Sequence, residues 1–336
     1  MKTRLSHSAR LRPLLLFLLL PLGLGLAVTP TMAAPRAIRA AYSALSGTQA
    51  PFWMAQEAGL FARYGLKADL IYLSGIGDKA LLAGEVQFAS PTAGKVVAGQ
   101  VAGADMAVVA VHINTIPSSI VVRPEITKPE DLRGKTLGVS MFGTLSDTGT
   151  RMALLKWGLA PQRDVILRQM GAMPQTATAM EAGLIHGGFM SPPLSLRLRD
   201  RGLRILGDLP AMGIHYPGSI LITTGTLAKK DRAMVLAFLK AFVHGIARFK
   251  RDPELAMTVM GKYTRVTEPK LLAETYKIFT GVIERAPYPD MQGLKAMVEF
   301  ESQANPQLLR AKLEEVVDTS FVRELEQSGF IEALYR

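Results

Sequence analysis

The sequence predicts an α/β protein of two lobes, each a mainly parallel sheet flanked by helices, with the chain crossing twice between them. Three observations predict this. Two blocks of the chain alternate short apolar runs with segments of helical period, the pattern of βαβ units and a parallel sheet. Two extended apolar runs, at 118–123 and 218–224, stand apart from the blocks and are the candidate crossovers. Beyond Thr226 nearly everything reads as helix and is expected to pack back on the first lobe.

The elements follow in order. Residues 37–43 form a short apolar run that ends in a Ser/Gly-rich loop, 43–48. Pro51 suits a first helical turn, and Phe52, Trp53, Ala55, Leu60 and Phe61 then fall at helical spacing until Gly65. Strands are predicted at 67–73, 86–89 and 106–113, separated by helices at 78–83 and 92–102. In the second block, strand 136–140 runs into a Gly/Ser/Thr loop, 141–149, and a helix ending near Gly158. Strands at 164–169, 187–191 and 203–206 alternate with helices at 175–182 and 194–201. The tail carries helices at 230–251, 253–262, 268–282, 292–304, 306–317 and 320–327. The expected first lobe is therefore 35–120 with 222–336, and the second is 121–221.

With 336 residues, 49% of them hydrophobic, the chain can bury substantial cores. Its start reads as an export signal. Lys2, Arg4, Arg10 and Arg12 form a basic, acid-free segment, and an apolar run over 14–28, broken by Pro21, follows. Small residues at Thr31 and Ala33 suit cleavage near Ala33, making 1–33 a signal peptide. The run falls short of the roughly 20 residues a spanning helix needs, so no membrane insertion of the mature chain is expected.

The net charge of +11 includes those four signal cations, leaving +7 without them. The densest basic cluster, Arg197, Arg199, Arg201 and Arg204, is interrupted by Asp200 and lacks interleaved aromatics. It reads as a solvated helix face rather than a nucleic-acid groove, although a mildly basic protein steers anions toward itself. The absence of cysteine excludes a disulfide framework, a thiol nucleophile, thiolate metal sites and a lipid-anchoring cysteine. A freely diffusing periplasmic protein is the expectation.

The run Pro51-Phe52-Trp53-Met54-Ala55-Gln56-Glu57-Ala58-Gly59-Leu60-Phe61-Ala62-Arg63-Tyr64-Gly65-Leu66 resembles the sulfonate/taurine/nitrate-type, or NMT1/THI5-like, solute-binding proteins. Residues 80–89, Ala-Leu-Leu-Ala-Gly-Glu-Val-Gln-Phe-Ala, and 131–139, Asp-Leu-Arg-Gly-Lys-Thr-Leu-Gly-Val, agree in order and spacing. Residues 181–189 resemble the second-lobe counterpart, with Gly187-Gly188 in place of a more usual Asp-Ala pair. The resemblance covers nearly the whole mature chain. It implies a periplasmic-binding-protein type II fold, a Venus flytrap whose two lobes close on ligand in the cleft. It also implies an ABC importer, whose permease and ATPase are the partners.

Candidate ligand residues sit where strands end and helices begin, since open α/β sites lie beyond the strand carboxyl ends and helix N-termini favour negative groups. In the first lobe these are Ser43, Ser46, Gly47, Trp53, Ser90 and Thr92, with His112 and Asn114 at the end of the strongest strand. In the second they are Gly143, Thr144, Ser146, Asp147 and Ser191, with Tyr216 near the return crossover. Each has a structural alternative: Ser90, Thr92 and Asp147 as helix caps, Trp53 and His112 as core. Thr144 and Ser146 are the strongest candidates, as hydroxyl donors to a small, anionic or aromatic organic ligand.

Catalytic patterns are missing. Residues 138–143 miss a nucleophile elbow by one position, and Gly134-Lys135-Thr136 lacks the upstream glycine of a phosphate loop. No histidine spacing suggests a metal, and no cofactor is implied. The family resemblance also covers a thiamine-pyrimidine synthase, a cytosolic enzyme with a cysteine-rich motif, which an exported chain without cysteine does not match. The expectation is a transport receptor and no enzyme; an exported sensor or adaptor is the alternative.

Overall fold

Apolar runs rich in valine, isoleucine and alanine become strands because such side chains suit a pleated surface covered on both faces. A computed structural model describes residues 34–336; the predicted signal peptide, 1–33, lies outside the described residues. The strands are β1 (Arg36–Tyr42), β2 (Leu66–Tyr72), β3 (Phe88–Ala89), β4 (Ala107–Thr115) and β5 (Ser119–Val122). They continue as β6 (Thr136–Val139), β7 (Ile166–Gln169), β8 (Gly187–Met190), β9 (Arg204–Asp208) and β10 (His215–Thr223).

Two five-stranded sheets result, ordered β2-β1-β3-β10-β4 and β7-β6-β8-β5-β9. Both follow one plan. Three parallel strands are joined to a fourth through a strand running the opposite way, β10 in the first sheet and β5 in the second. Each reversed strand is the one the chain enters on arriving from the other sheet. Mainly parallel sheets flanked by helices, in two lobes, are what the strand-helix alternation predicts.

The lobe boundaries differ from those read in the sequence. The chain crosses between β4 and β5, at 116–118, and between β9 and β10, at 209–214. The runs at 118–123 and 218–224 are therefore central strands rather than crossovers. Residues 119–120 lie in the second sheet and 215–221 in the first, opposite to the predicted division. An apolar run records burial; which sheet buries it depends on pairing partners far away in the chain.

The helices are α1 (Ala50–Glu57), α2 (Leu60–Arg63), α3 (Gly77–Leu82), α4 (Ala93–Val101) and α5 (Leu145–Lys156). Next come α6 (Met173–Glu181), α7 (Leu194–Asp200), α8 (Gly225–Lys230), α9 (Arg232–Arg251), α10 (Pro253–Thr264) and α11 (Pro269–Val282). The last are α12 (Met291–Ser302), α13 (Leu313–Val316), α14 (Ser320–Gln327) and α15 (Phe330–Ala333). The predicted helix at 306–317 is a 3-10 turn, Pro306–Arg310, followed by α13.

Helix α9 shows how the tail is held. Val235, Phe238, Leu239, Phe242, Ile246 and Phe249 recur at helical spacing and are wholly buried. Phe238 stacks on Phe88 with centroids 3.8 Å apart, and Phe242 meets the edge of Phe52 at 4.9 Å. Those contacts fix α1 and α9 on the first sheet, and with them the loops at its strand ends.

Candidate functional site

The strands of both sheets end at a cavity between the lobes. Ser43, Ser46, Thr48 and Gln49 line it from the first lobe, with Ser90 and Thr92. Ser140, Thr144, Ser146 and Ser191 line it from the second, and Tyr72, Phe189 and Met173 supply apolar wall. Its volume is about 80 Å³; at roughly 10–15 Å³ for one water on that scale, it suits a compact polar group of about five to eight heavy atoms.

Four helices of two turns or more begin at this cavity. The starts of α1 (Thr48, Gln49), α4 (Thr92), α5 (Thr144, Leu145, Ser146) and α6 (Met173, Pro174) all line it. The N-cap residues of α4, α5 and α6 make no side-chain cap hydrogen bond, so first-turn amides there are left for another acceptor; α1 instead continues a 3-10 turn, Gly47–Gln49, that is capped by Ser46 and takes up the Ala50 amide. Convergent N-termini make a positive potential without any cation. Among the described residues, Lys95 is the only charged side chain lining the cavity, and no carboxylate does so. Its Nζ donates to the Gly75 carbonyl at 2.6 Å, leaving ammonium protons for a ligand.

The hydroxyls are held by their own network. Ser140 N donates to Ser146 Oγ at 2.8 Å, and Ser146 in turn donates to Thr144 Oγ1 at 3.0 Å, so neither Ser146 nor Thr144 keeps a hydroxyl hydrogen for ligand, contrary to the expectation from sequence. Thr144 Oγ1 donates to the Met141 carbonyl at 2.6 Å and keeps only acceptor capacity. Ser46 Oγ accepts from Thr48 N at 3.2 Å, and Ser191 shares a hydrogen bond with Ser118. Gln49 is 2% exposed; its Nε2 faces Thr48 Oγ1 and Ser219 Oγ while Oε1 has no partner.

Of the fourteen residues singled out in the sequence, Ser43, Ser46, Ser90, Thr92, Thr144, Ser146 and Ser191 come together around this cavity. Seven do not. Gly47 packs against Phe279: a Cβ there would lie 2.2 Å from the ring, so glycine serves close approach. Trp53 is fully buried and stacks on Tyr263 at 4.8 Å. His112 is fully buried beside Phe242, its Nε2 hydrogen-bonded to the Thr48 carbonyl at 2.9 Å. It positions the loop behind the cavity without reaching it. Asn114 ties down the chain at Tyr288 and Asp290.

Gly143 and Asp147 lie on a separate surface depression behind α5. The Asp147 carboxylate accepts from Gly143 N at 2.9 Å and pairs with Arg151 at 2.8 Å, so it braces the helix start. Helix α5 begins at Leu145, four residues before the predicted loop ends. Gly149 suggested a loop, but it lies inside the helix because a Cβ would come within 2.7 Å of Phe189. Tyr216 is buried, and its hydroxyl donates to Glu301 Oε1 at 2.8 Å. Glu301 also accepts from Thr148 across the lobes at 3.5 Å. Burial pushes its pKa up against those hydrogen bonds, and Asp147 adds to the rise.

Lys95 and Gln49 were missed by sequence reasoning. Each sits one turn or less from a recognised Ser/Thr start, and only the direction of the helix turns them inward. Among the described residues no group of His, Cys, Asp and Glu could hold a metal ion, and no helix is long and apolar enough to cross a membrane.

The arginine cluster is a solvated face only in part: Arg201 and Arg204 are exposed, whereas Arg197 and Arg199, on α7, are half-buried. Arg199 of the second lobe bonds both oxygens of Glu274 on α11 in the first, at 2.7 and 3.0 Å. Arg197 pairs with Glu268 at 3.2 Å, and Leu196, just before it, is buried in the first-lobe core. These contacts clasp the lobes together. Because both Arg199 and Glu274 are about one-third exposed, Arg199→Ala is expected to cost less than about 1 kcal/mol of stability. It is also expected to expand the ligand-free protein in solution scattering. An unchanged scattering profile would remove the clasp.

Known proteins support this architecture. The alkanesulfonate-binding protein SsuA from Xanthomonas axonopodis pv. citri, bound to MOPS, superposes with a TM-score of 0.70 at 18% identity, covering 85% of this chain and 99% of that one. The periplasmic nitrate-binding protein NrtA from Synechocystis PCC 6803 gives 0.73 at 13%, covering 88% and 89%. The periplasmic aliphatic sulphonate-binding protein SsuA from Escherichia coli gives 0.64 at 19%, covering 82% and 89%. At these identities the likeness establishes the fold, the periplasmic-binding-protein type II arrangement. No curated protein sequence matches the chain significantly. A family model described as NMT1/THI5 like matches residues 47–256, which include every strand except β1 and the cavity wall apart from residues 43–46, and the chain belongs to that family.

Proposed function

We propose that the protein is the extracytoplasmic solute-binding component of an ABC importer and captures a small organic anion between its lobes. The observation that carries this is the cavity itself: four helix N-termini and Lys95 converge on it, and among the described residues no carboxylate lines it. A negative group placed there meets first-turn amides, hydroxyl donors and an ammonium from both sheets at once. Contacts from two lobes exist together only when the lobes are apposed, so ligand favours the apposed form by its differential affinity. The closed pair of lobe surfaces is then what the permease and its ATPase receive. The serines of the cavity have no histidine beside them in its lining, which favours binding over acyl transfer. The signal-like segment before Ala34 supports a periplasmic location.

A thermal-shift screen of residues 35–336 against alkanesulfonates, carboxylates, nitrate, neutral sugars and cationic amines tests the reading. An anion at about 100 times its dissociation constant should add about 2.7 kcal/mol to stability. Stabilisation by sugars or amines with none by anions would refute it.

A further inference from the structure

The small cavity adjoins a much larger chamber, about 750 Å³, with which it shares the lining residues Leu45, Tyr72 and Pro174. Tyr42, Tyr72 and Tyr263 face this chamber from the first lobe, and Pro193 and Leu194 close it from the second. The tyrosines form one aromatic surface. Tyr42 lies 5.5 Å from Tyr72 and 6.4 Å from Tyr263, centroid to centroid, with Tyr263 backed by Trp53 at 4.8 Å. Among the described residues, three cations line the chamber, Arg197, Lys262 and Arg265, and no carboxylate does. Arg197 and Lys262 are engaged by Glu268 and Glu57; Arg265 makes no ion pair among the described residues.

We propose that the two compartments together hold one amphiphilic ligand, an aromatic acid, with its acid group in the inner cavity and its ring against Tyr42 and Tyr72 in the outer chamber. This rests on the anion-receptor reading above and goes beyond it in naming the ligand class. The inner cavity is too small for a ring and an acid together, and its lining carries most of the hydroxyl groups. The outer chamber is of the size that takes an organic ligand, and its tyrosines, with Tyr42 tilted 33° to Tyr72 and 76° to Tyr263, suit a ring by offset or edge-on contact. Its cations suit the negative charge of such a molecule on its way in. Because Pro193, Leu194 and Arg197 come from the second lobe, the ring also adds contacts that exist only when the lobes are apposed.

Matched pairs of probes test this by titration calorimetry on residues 35–336: methanesulfonate against 2-phenylethanesulfonate, and acetate against 3-phenylpropionate. The phenyl member of the pair that binds should be at least tenfold tighter than its small partner. In Tyr72→Ala and in Leu194→Ala that ratio should fall, toward unity for Tyr72→Ala, with folding verified by circular dichroism. Two variants on different elements guard against one that fails to fold. Equal affinity within a binding pair, or a ratio unchanged in both variants, overturns the chamber as a ring site and leaves the anion receptor standing. Failure of all four probes to bind overturns both.

Discussion

Lowering the pH from 7 to 4 is expected to remove roughly 3 kcal/mol of stability through His112 alone. The ring is fully buried beside Phe242, with its Nδ1 unpartnered and its Nε2 bonded to the Thr48 carbonyl. Burial pushes its pKa down from 6.5 to about 4, against the opposing pull of that hydrogen bond. A basic group depressed in the folded state takes up its proton more readily when unfolded. Its contribution is therefore present in full above about pH 6.5 and fades as the pH falls to about 4; at about 1.4 kcal/mol per pKa unit the total is roughly 3 kcal/mol.

Chemical denaturation of the wild type and of His112→Gln at intervals between pH 4 and 8 checks this. The wild type should lose its advantage over the variant across that window, because glutamine does not titrate. Parallel stability curves would show that His112 is not the titrating group. Since Thr48 lines the cavity, ligand affinity should also weaken on acidification, through the loop His112 holds rather than through contact.

Replacing Lys95 with glutamate is expected to weaken binding of an anion by about 100-fold or more. A hydrogen bond to a charged group contributes about 1.5–3 kcal/mol, or about 10- to 100-fold, and the new carboxylate adds repulsion inside a small, partly desolvated space. Lys95→Met should show the first part of that loss and Lys95→Glu the sum. Calorimetry with whichever anion stabilises the wild type provides the measurement, and circular dichroism should show an unchanged fold. A loss of less than about threefold in Lys95→Glu would mean that the ammonium does not face the ligand.

Both residues show how far the sequence could be read. The first strand end, Ser43 to Thr48, and the start of α5 were recognisable because Ser, Thr and Gly before a helical period mark a helix N-terminus. In an α/β fold those termini gather at one edge of the sheet, so Ser43, Ser46, Ser90, Thr92, Thr144, Ser146 and Ser191 were found without coordinates. His112 lay on the expected strand, yet its side chain points into the core beside Phe242. Strand residues alternate faces with a period of two, and the face a given residue takes follows from register, which an unbroken apolar run such as 107–111 leading into it does not reveal. Lys95 fails in the opposite direction. It lies in the first turn of α4, where a lone lysine looks like solvent-facing surface until the helix axis is aimed at a cavity.

The sequence by itself determined the two-lobed α/β architecture, the family and the hydroxyl-rich helix starts, because periodicity, turn residues and caps are local and short-ranged. Tertiary structure alone decided the rest. It assigned β5 and β10 to their sheets, turned Trp53, His112 and Tyr216 inward, and turned the α7 arginines from surface charges into a clasp. It also set the inner cavity beside the tyrosine chamber. Those outcomes depend on pairing and packing between segments some 70 to 220 residues apart, as Arg199 with Glu274 and Tyr42 with Tyr263 illustrate, and no local pattern carries that information.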